Sequence, residues 1–457
     1  MEFIRRHIEI KLILVQIIPV LVFIINPFNM NIKQSILFSS LLITIIWWVT
    51  NIVDRNIACI FMLLIFLIFS NSSLEQIFKF ALSPIFFLII MSFLLSKGIS
   101  NSKITNRISL LILQKYGKTP IKIVMFSFIF GVLLIIIIPQ PFARVILLSS
   151  IYKAYINNRT KNIETREVLI FSIFVSCTTT SMLFINGDII LNYSALQLGG
   201  IQMTLQDWMV AMFLPSVLVN IFIYFIFIFI FKDKLNANCF NNVKTNVSMV
   251  KNNEVSNKEI SAIIIMIFVV FLWLTESWHR IDPAVSALFG VLAMFAVKIL
   301  NYKDIKSINV SLMFFLISVF SIGTVLKQSG ITTLIFSKIS IFIPNNNSSI
   351  YLFSIILITM LLHMLVGSAL TALSVVIPSL ISLNSGIVNP VVIVLICYIS
   401  VNIHYIFPIH HVTIMIGSAN HDFNNKLVIK IGLIMTFITI ILILCLYIPW
   451  WKIIGLL

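Results

Sequence analysis

Polar and apolar positions along the chain separate into long apolar runs joined by short polar loops. A hydrocarbon core about 30 Å thick takes about 20 helical residues to cross. Eleven runs approach that length, near 8–26, 35–51, 56–71, 80–99, 167–193, 207–231, 260–278, 284–300, 310–330, 389–419 and 426–449. The pattern predicts an all-α polytopic membrane protein with eleven transmembrane helices. Two further stretches, 121–151 and 350–382, are interrupted by Pro139 and Pro141 and by Gly367 and Pro378. Proline lacks an N–H and breaks a straight helix, and broken backbone survives at membrane depth only inside protein or beside a watery cavity. Both stretches therefore read as re-entrant hairpins. The first run follows Arg5 and Arg6 without a small-residue cleavage site, so it reads as a retained span and not a removed signal peptide.

Composition sharpens this picture. The chain is 60% hydrophobic and 10% charged, against about 45–50% and about 25% in soluble domains, which excludes a soluble enzyme. Cys59, Cys177, Cys239, Cys397 and Cys445 are scattered without metal-ligand spacing, so neither a disulfide framework nor a thiolate metal site is expected. The net charge is +16. Its basic residues lie in loops, which speaks for membrane orientation and not for nucleic acid. With the N-terminus in the cytoplasm, 24 of the 31 Lys and Arg residues fall on the cytoplasmic side, and Arg144 lies within the first hairpin. The chain is thus expected in the cytoplasmic membrane, N-terminus inside and C-terminus outside.

One long polar stretch, the Asn-rich segment 232–259, reads as a cytoplasmic linker between two halves. Those halves repeat. Trp48, Thr50 and Arg55 match Trp273, Thr275 and Arg280, and LLSKGI around Gly98 matches LKQSGI around Gly330. The hairpins superpose at an offset of about 228. The organisation that follows is an N-terminal span and connector at 1–34, a first repeat at 35–231, the linker, and a second repeat at 260–457. The second repeat starts from the opposite side of the membrane, so the repeat is inverted, as in many secondary transporters with a site at the midplane.

TIIWWVT at 44–50, GGIQMTLQDWMVAMFLP at 199–215, ESWHRIDPAVSALFGVLAMF at 276–295 and the closing FPIHHVTIMIGSAN to IPWWKIIG resemble blocks of the divalent anion:sodium symporters, the dicarboxylate, citrate and sulfate carriers. The resemblance covers nearly the whole chain. It implies a homodimer, a moving transport domain, and a Ser-Asn-Thr signature at each hairpin tip that binds substrate and helps form the sodium sites. This sequence departs at both tips. The first reads Pro139-Gln140-Pro141-Phe142-Ala143-Arg144, and the second reads Ser368-Ala369-Leu370 followed by Thr371.

Charges inside hydrocarbon are costly and usually face a partner or a watery cavity. Arg144 carries five donors in a fork suited to a carboxylate or sulfate; the alternative is a structural role or snorkelling to the interface. Asp188 is the carboxylate well inside a span, a candidate to carry a proton or pair with Arg144. Thr178, Thr179, Thr180, Ser181, Asn186 and Gly187 form a polar break in the 167–193 run, where hydroxyls and freed carbonyls can meet substrate or cation, although Ser and Thr also bond back to their own helix. The matching place in the second half is His404 to Gly417. Its His410 and His411 are candidates to bind an anion or relay protons; adjacent histidines do not make a metal site. His363 is a weaker candidate.

The expected function is secondary active transport of a small anion, a di- or tricarboxylate, a related organic acid or sulfate. Its site would combine Gln140, Phe142, Arg144, Thr179, Thr180, Asn186, Ser368, Thr371, His410 and His411, with Asp188, His410 and His411 as coupling groups. No cofactor is expected beyond a coupling Na+ or H+, and no phosphate loop is present to use ATP. Expected partners are the anion, the bilayer and a second copy of the chain. Proton-coupled or exchange-type permeation, a non-transporting sensor and a membrane-embedded enzyme are the alternatives.

Overall fold

A computed structural model describes residues 17–50, 52–157, 159–235, 256–332, 334, 348–384 and 386–457. The described residues are all-helical, without strands. Residues 17–25 are helical and belong to the first expected span; residues 8–16 of that span, and 236–255 of the linker, lie outside the described residues. In chain order the principal helices are α1 (Ile32–Thr50), α2 (Arg55–Phe69), α3 (Pro84–Ser102), α4 (Ile104–Tyr116), α5 (Pro120–Leu133), α6 (Pro141–Ile156), α7 (Ile163–Thr180) and α8 (Ile189–Leu198). They continue with α9 (Leu205–Phe231), α10 (Asn257–Leu274), α11 (Pro283–Ala296), α12 (Val310–Gln328), α13 (Ser348–Val366), α14 (Ala369–Leu383), α15 (Pro390–Ile403), α16 (Val412–Ala419) and α17 (Asn425–Ile453).

Helix starts follow local chemistry. Asp54 accepts from the Asn56 N–H and Asp282 from the Ala284 N–H, each capping the helix after it. Ser256 and Glu259 form a capping box at the end of the linker, so α10 begins inside the expected linker boundary. Among the described residues, six helices are long and apolar enough to cross a membrane: α3, α9, α10, α12, α13 and α17. The runs at 35–51, 56–71 and 284–300 also form helices, α1, α2 and α11. The runs at 167–193 and 389–419 do not stay single, because each is divided by an irregular segment. The basic segment 97–122 is more than a loop. Its α4 buries Ile104, Thr105, Ser109 and Leu113 on one face and leaves Arg107 and Lys115 among its outer residues, an amphipathic pattern that the count of basic residues hid.

Two compact units divide the chain. The first takes Met1–Phe86, Gln197–Ile201 and Asn309–Cys397. In it α1 packs on α2, α12 packs on α2 and α14, and α13 packs on α14. Trp48 meets Phe315 edge-on at 4.8 Å between ring centres, and Phe80 stacks on Phe320. Pro378, inside α14, is met by Gly323 of α12, where an added Cβ would lie 3.4 Å from the proline ring.

The second unit takes Phe87–Leu196, Gln202–Ile308 and Tyr398–Leu457. Its centre is α7, against which α5, α6, α9 and α16 all pack. Ser127 of α5, Tyr152 of α6 and Ser172 of α7 share buried hydroxyl bonds of 2.7 and 3.2 Å. Helix α17 crosses the segment after α15 at backbone contact: a Cβ on Gly432 would lie 2.1 Å from the Tyr405 carbonyl oxygen and 2.8 Å from Ile406 Cα.

Gly432→Ala is therefore expected to destabilise the purified protein by about 1–3 kcal/mol, the usual cost of overpacking. Gly323→Ala, with only ordinary contact to a side chain, should leave it nearly unchanged. Thermal unfolding in detergent compares the two directly, and equal midpoints would contradict the close crossing.

Candidate functional site

Helix α7 unravels where its hydroxyls turn inward on the backbone. Thr180 donates to Ser176 O at 2.7 Å and Ser181 to Thr178 O at 2.6 Å, the back-bonding that competes with helix continuation. Residues 181–188 then run irregularly into a short turn, Ile185–Asp188, before α8. Gly187 is required there, since a Cβ would lie 2.2 Å from Ser181 O. The carbonyls released by the break are gathered by a side chain: Asn192 Nδ2 donates to Ser181 O, Phe184 O and Ile185 O at 3.3, 3.1 and 3.0 Å. Trp208 Nε1 takes Met182 O at 3.0 Å. Asp188 accepts from the Leu191 N–H at 3.1 Å and so caps α8.

Arg144 stands on the first turn of α6, after the break that Pro139 and Pro141 impose. Its guanidinium is fully buried. Nη1 donates to Ile138 O at 3.0 Å, and Nη2 donates to Gly187 O at 2.8 Å and to Cys177 O at 3.4 Å. One side chain thus holds both its own break and the break of α7. It makes no ion pair with Asp188, and its Nε is buried without a hydrogen-bond partner. Gln140, at the start of α6, donates through Nε2 to Ser92 Oγ, while its buried Oε1 has no partner. The Phe142 ring lies 5.3 Å from that of Phe93.

The second break separates α15 from α16. His410 Nδ1 accepts from the Ile406 and Phe407 N–H groups at 3.1 and 3.3 Å and so folds the segment upon itself; its ring lies 6.5 Å from that of His404. His411, buried, pairs through Nδ1 with Thr413 Oγ1 at 2.8 Å, and Thr413 Oγ1 pairs with Thr178 Oγ1 at 2.6 Å. His411 Nε2 is buried and has no partner. A second link runs from Asn402 Nδ2 to Ser181 Oγ at 3.3 Å, with Asn402 Oδ1 again buried and unpartnered. The two breaks are therefore bonded to each other at two points.

Helices α6 and α16 pack together and both lack a side-chain cap at their N-termini, which fall at Gln140 and His411. Lys153, in the last turn of α6, forms an ion pair with the buried Asp422, which lies three residues beyond the end of α16. The helices consequently run in the same direction, with their N-termini at the same end. Unpaired N–H groups at a helix N-terminus carry about half a positive charge and attract anions.

Of the expected site residues, Gln140, Phe142, Arg144, Thr179, Thr180, Asn186, Asp188, His410 and His411 all lie in the second unit. Ser368 and Thr371 lie in the first, where the Ser368 hydroxyl accepts from the Thr371 N–H and hydroxyl at 3.5 and 3.1 Å and caps α14. Thr179 is occupied by Asn220, whose Oδ1 accepts from it at 2.7 Å. His363 is buried on α13. Sequence reading passed over Asn192, Asn220, Asn402 and Thr413. Their signal was an amide or hydroxyl in otherwise apolar helix, where a polar group needs a buried partner. Among the described residues no group of three or more His, Cys, Asp or Glu residues is placed to hold a metal ion.

A family model described as the sodium:sulfate symporter transmembrane region matches residues 6–457. The chain is also similar to the "Putative malate transporter YflS" of Bacillus subtilis (strain 168), 22% identical over 302 residues. The match covers 62% of this chain and spans 62% of that relative's length.

Arg144→Gln would strip donors from carbonyls in both breaks, at about 1–3 kcal/mol for each buried group left unsatisfied. The variant is expected to unfold at a lower temperature than the parent, and Arg144→Lys at an intermediate one. An unchanged midpoint for Arg144→Gln would show that the guanidinium does not hold the breaks.

Proposed function

The chain belongs to the sodium:sulfate symporter family, and from that premise we propose that it moves a di- or tricarboxylate across the cytoplasmic membrane by alternating access. The observation that carries the reading is the pair of uncapped helix N-termini at Gln140 and His411, brought to the same end of packed, parallel helices. Between them they offer unpaired N–H groups and two positive dipole ends to an anion. The buried, unpartnered Gln140 Oε1 and His411 Nε2 add polar groups at those same starts. Arg144 serves this site from behind, as the clamp that keeps both breaks open, while its positive charge contributes to the field. A dicarboxylate also agrees with the name of the malate transporter relative.

The membrane arrangement belongs to the same proposal. Eleven spans and two hairpins, α5–α6 and α13–α14, form inverted repeats at 35–231 and 260–457, with the N-terminus cytoplasmic and two copies forming a dimer. In support, the caps recur in order: Asp54 and Asp282 cap helices, and the boxes Ser73 with Gln76 and Asn301 with Asp304 follow each at the same distance. Ser368 and Thr371 stand in the second hairpin where Gln140 and Ala143 stand in the first.

Thermal unfolding of the detergent-purified protein with malate, succinate, citrate and sulfate tests the substrate class. A ligand at a hundred times its dissociation constant stabilises by about 2.7 kcal/mol, so malate or succinate should raise the midpoint. The same anion should enter proteoliposomes by counterflow against its unlabelled form. A folded protein that neither responds to nor exchanges any of the four would end the reading.

A further inference from the structure

Resting on the transport reading above, the structure also bears on what drives the anion. We propose that the anion crosses together with one proton, carried on the imidazole of His411.

The geometry is specific to this residue. His411 is buried, its Nδ1 is fixed by Thr413 Oγ1 at 2.8 Å, and its Nε2 is the ring nitrogen left without a partner. Protonated imidazole carries hydrogen on both nitrogens. In that form Nδ1–H donates to Thr413 Oγ1, the Thr413 hydroxyl donates to Thr178 Oγ1 at 2.6 Å, and Nε2–H is left for an oxygen of the bound anion. The charged state therefore has a complete set of bonds once an anion is present. It also polarises a hydroxyl chain that reaches from one broken helix to the other.

Among the described residues that face it, no group neutralises that charge in place of the anion. On its own segment stand His410, bonded to backbone N–H groups, His404 stacked on it, and the Tyr405 ring at 6.4 Å. From α7 comes Cys177. From α6 come Arg144, spent on carbonyls, Lys153, paired with Asp422, and Tyr152 and Tyr155, bonded to backbone oxygens. Helix α17 brings Lys430, bonded to Ile230 O, and Tyr447, bonded to Ser216. Asp188, across the break of α7, is engaged with the Leu191 N–H. A buried charge without a partner is costly, so proton and anion arrive and leave as a pair: the proton binds the imidazole as the anion binds, and both are released on the other side.

The test uses proteoliposomes of the full chain with radiolabelled malate, sodium-free, the membrane potential clamped at zero by potassium and valinomycin. Counterflow without any gradient first establishes transport as such. An interior more alkaline than the exterior should then drive malate inward, with about tenfold accumulation for each pH unit at one proton per anion. In His411→Asn the gradient should no longer raise uptake above that variant's own rate without one. Thr413→Val, which keeps the imidazole but cuts the hydroxyl chain, should retain the response with a displaced pH profile. Malate uptake that ignores the pH gradient, or follows a sodium gradient instead, overturns the proposal, as does an undiminished gradient response in His411→Asn. Absence of counterflow for malate removes the transport reading itself and the proposal with it.

Discussion

A helix interrupted inside a membrane protein frees carbonyls and N–H groups that lipid cannot satisfy, and every device in the second unit answers that requirement. Arg144 answers most of it. A fork of donors fixed in one plane reaches Ile138 O, Cys177 O and Gly187 O, three carbonyls from two separate interruptions. A smaller side chain with one donor cannot span them. Asn192 does the remaining work with a single amide nitrogen shared among three further carbonyls. The donors on the other side of the account, the N–H groups at the starts of α6 and α16, are left without side-chain caps. On the transport proposal, this balance of satisfied acceptors and uncapped donors is what would favour a negative ligand.

Much of this was legible in the sequence. The all-helical membrane character follows from run length and composition alone, and Pro139, Pro141 and Gly367 mark real interruptions because their backbone chemistry acts locally. The cluster Thr178 to Gly187 marked the break of α7 for the same reason. Local reasoning fails where a side chain acts at a distance in the chain. Nothing around Arg144 tells that its bonds lie 33 and 43 residues away. Asn192, Asn220 and Asn402 look like ordinary polar interruptions of helices until their partners are seen. Helix α4 was hidden by its loop-like charge, since its apolar stripe is narrow.

The two adjacent histidines illustrate how position divides roles. His410 spends its Nδ1 on the Ile406 and Phe407 N–H groups and so shapes the segment. His411 holds its Nδ1 against Thr413 and keeps Nε2 in reserve. The sequence offers the pair as equivalents, while the fold gives one a scaffolding duty and leaves the other a buried ring nitrogen without a partner.

The ion pair of Lys153 with Asp422 ties the last turn of α6 to the turn that follows α16. A latch at the trailing ends of two packed helices limits how far their starts can part, so the pair works as a caliper. Its jaws are the helix starts at Gln140 and His411, and on the transport proposal their spacing would set the length of anion that fits between them.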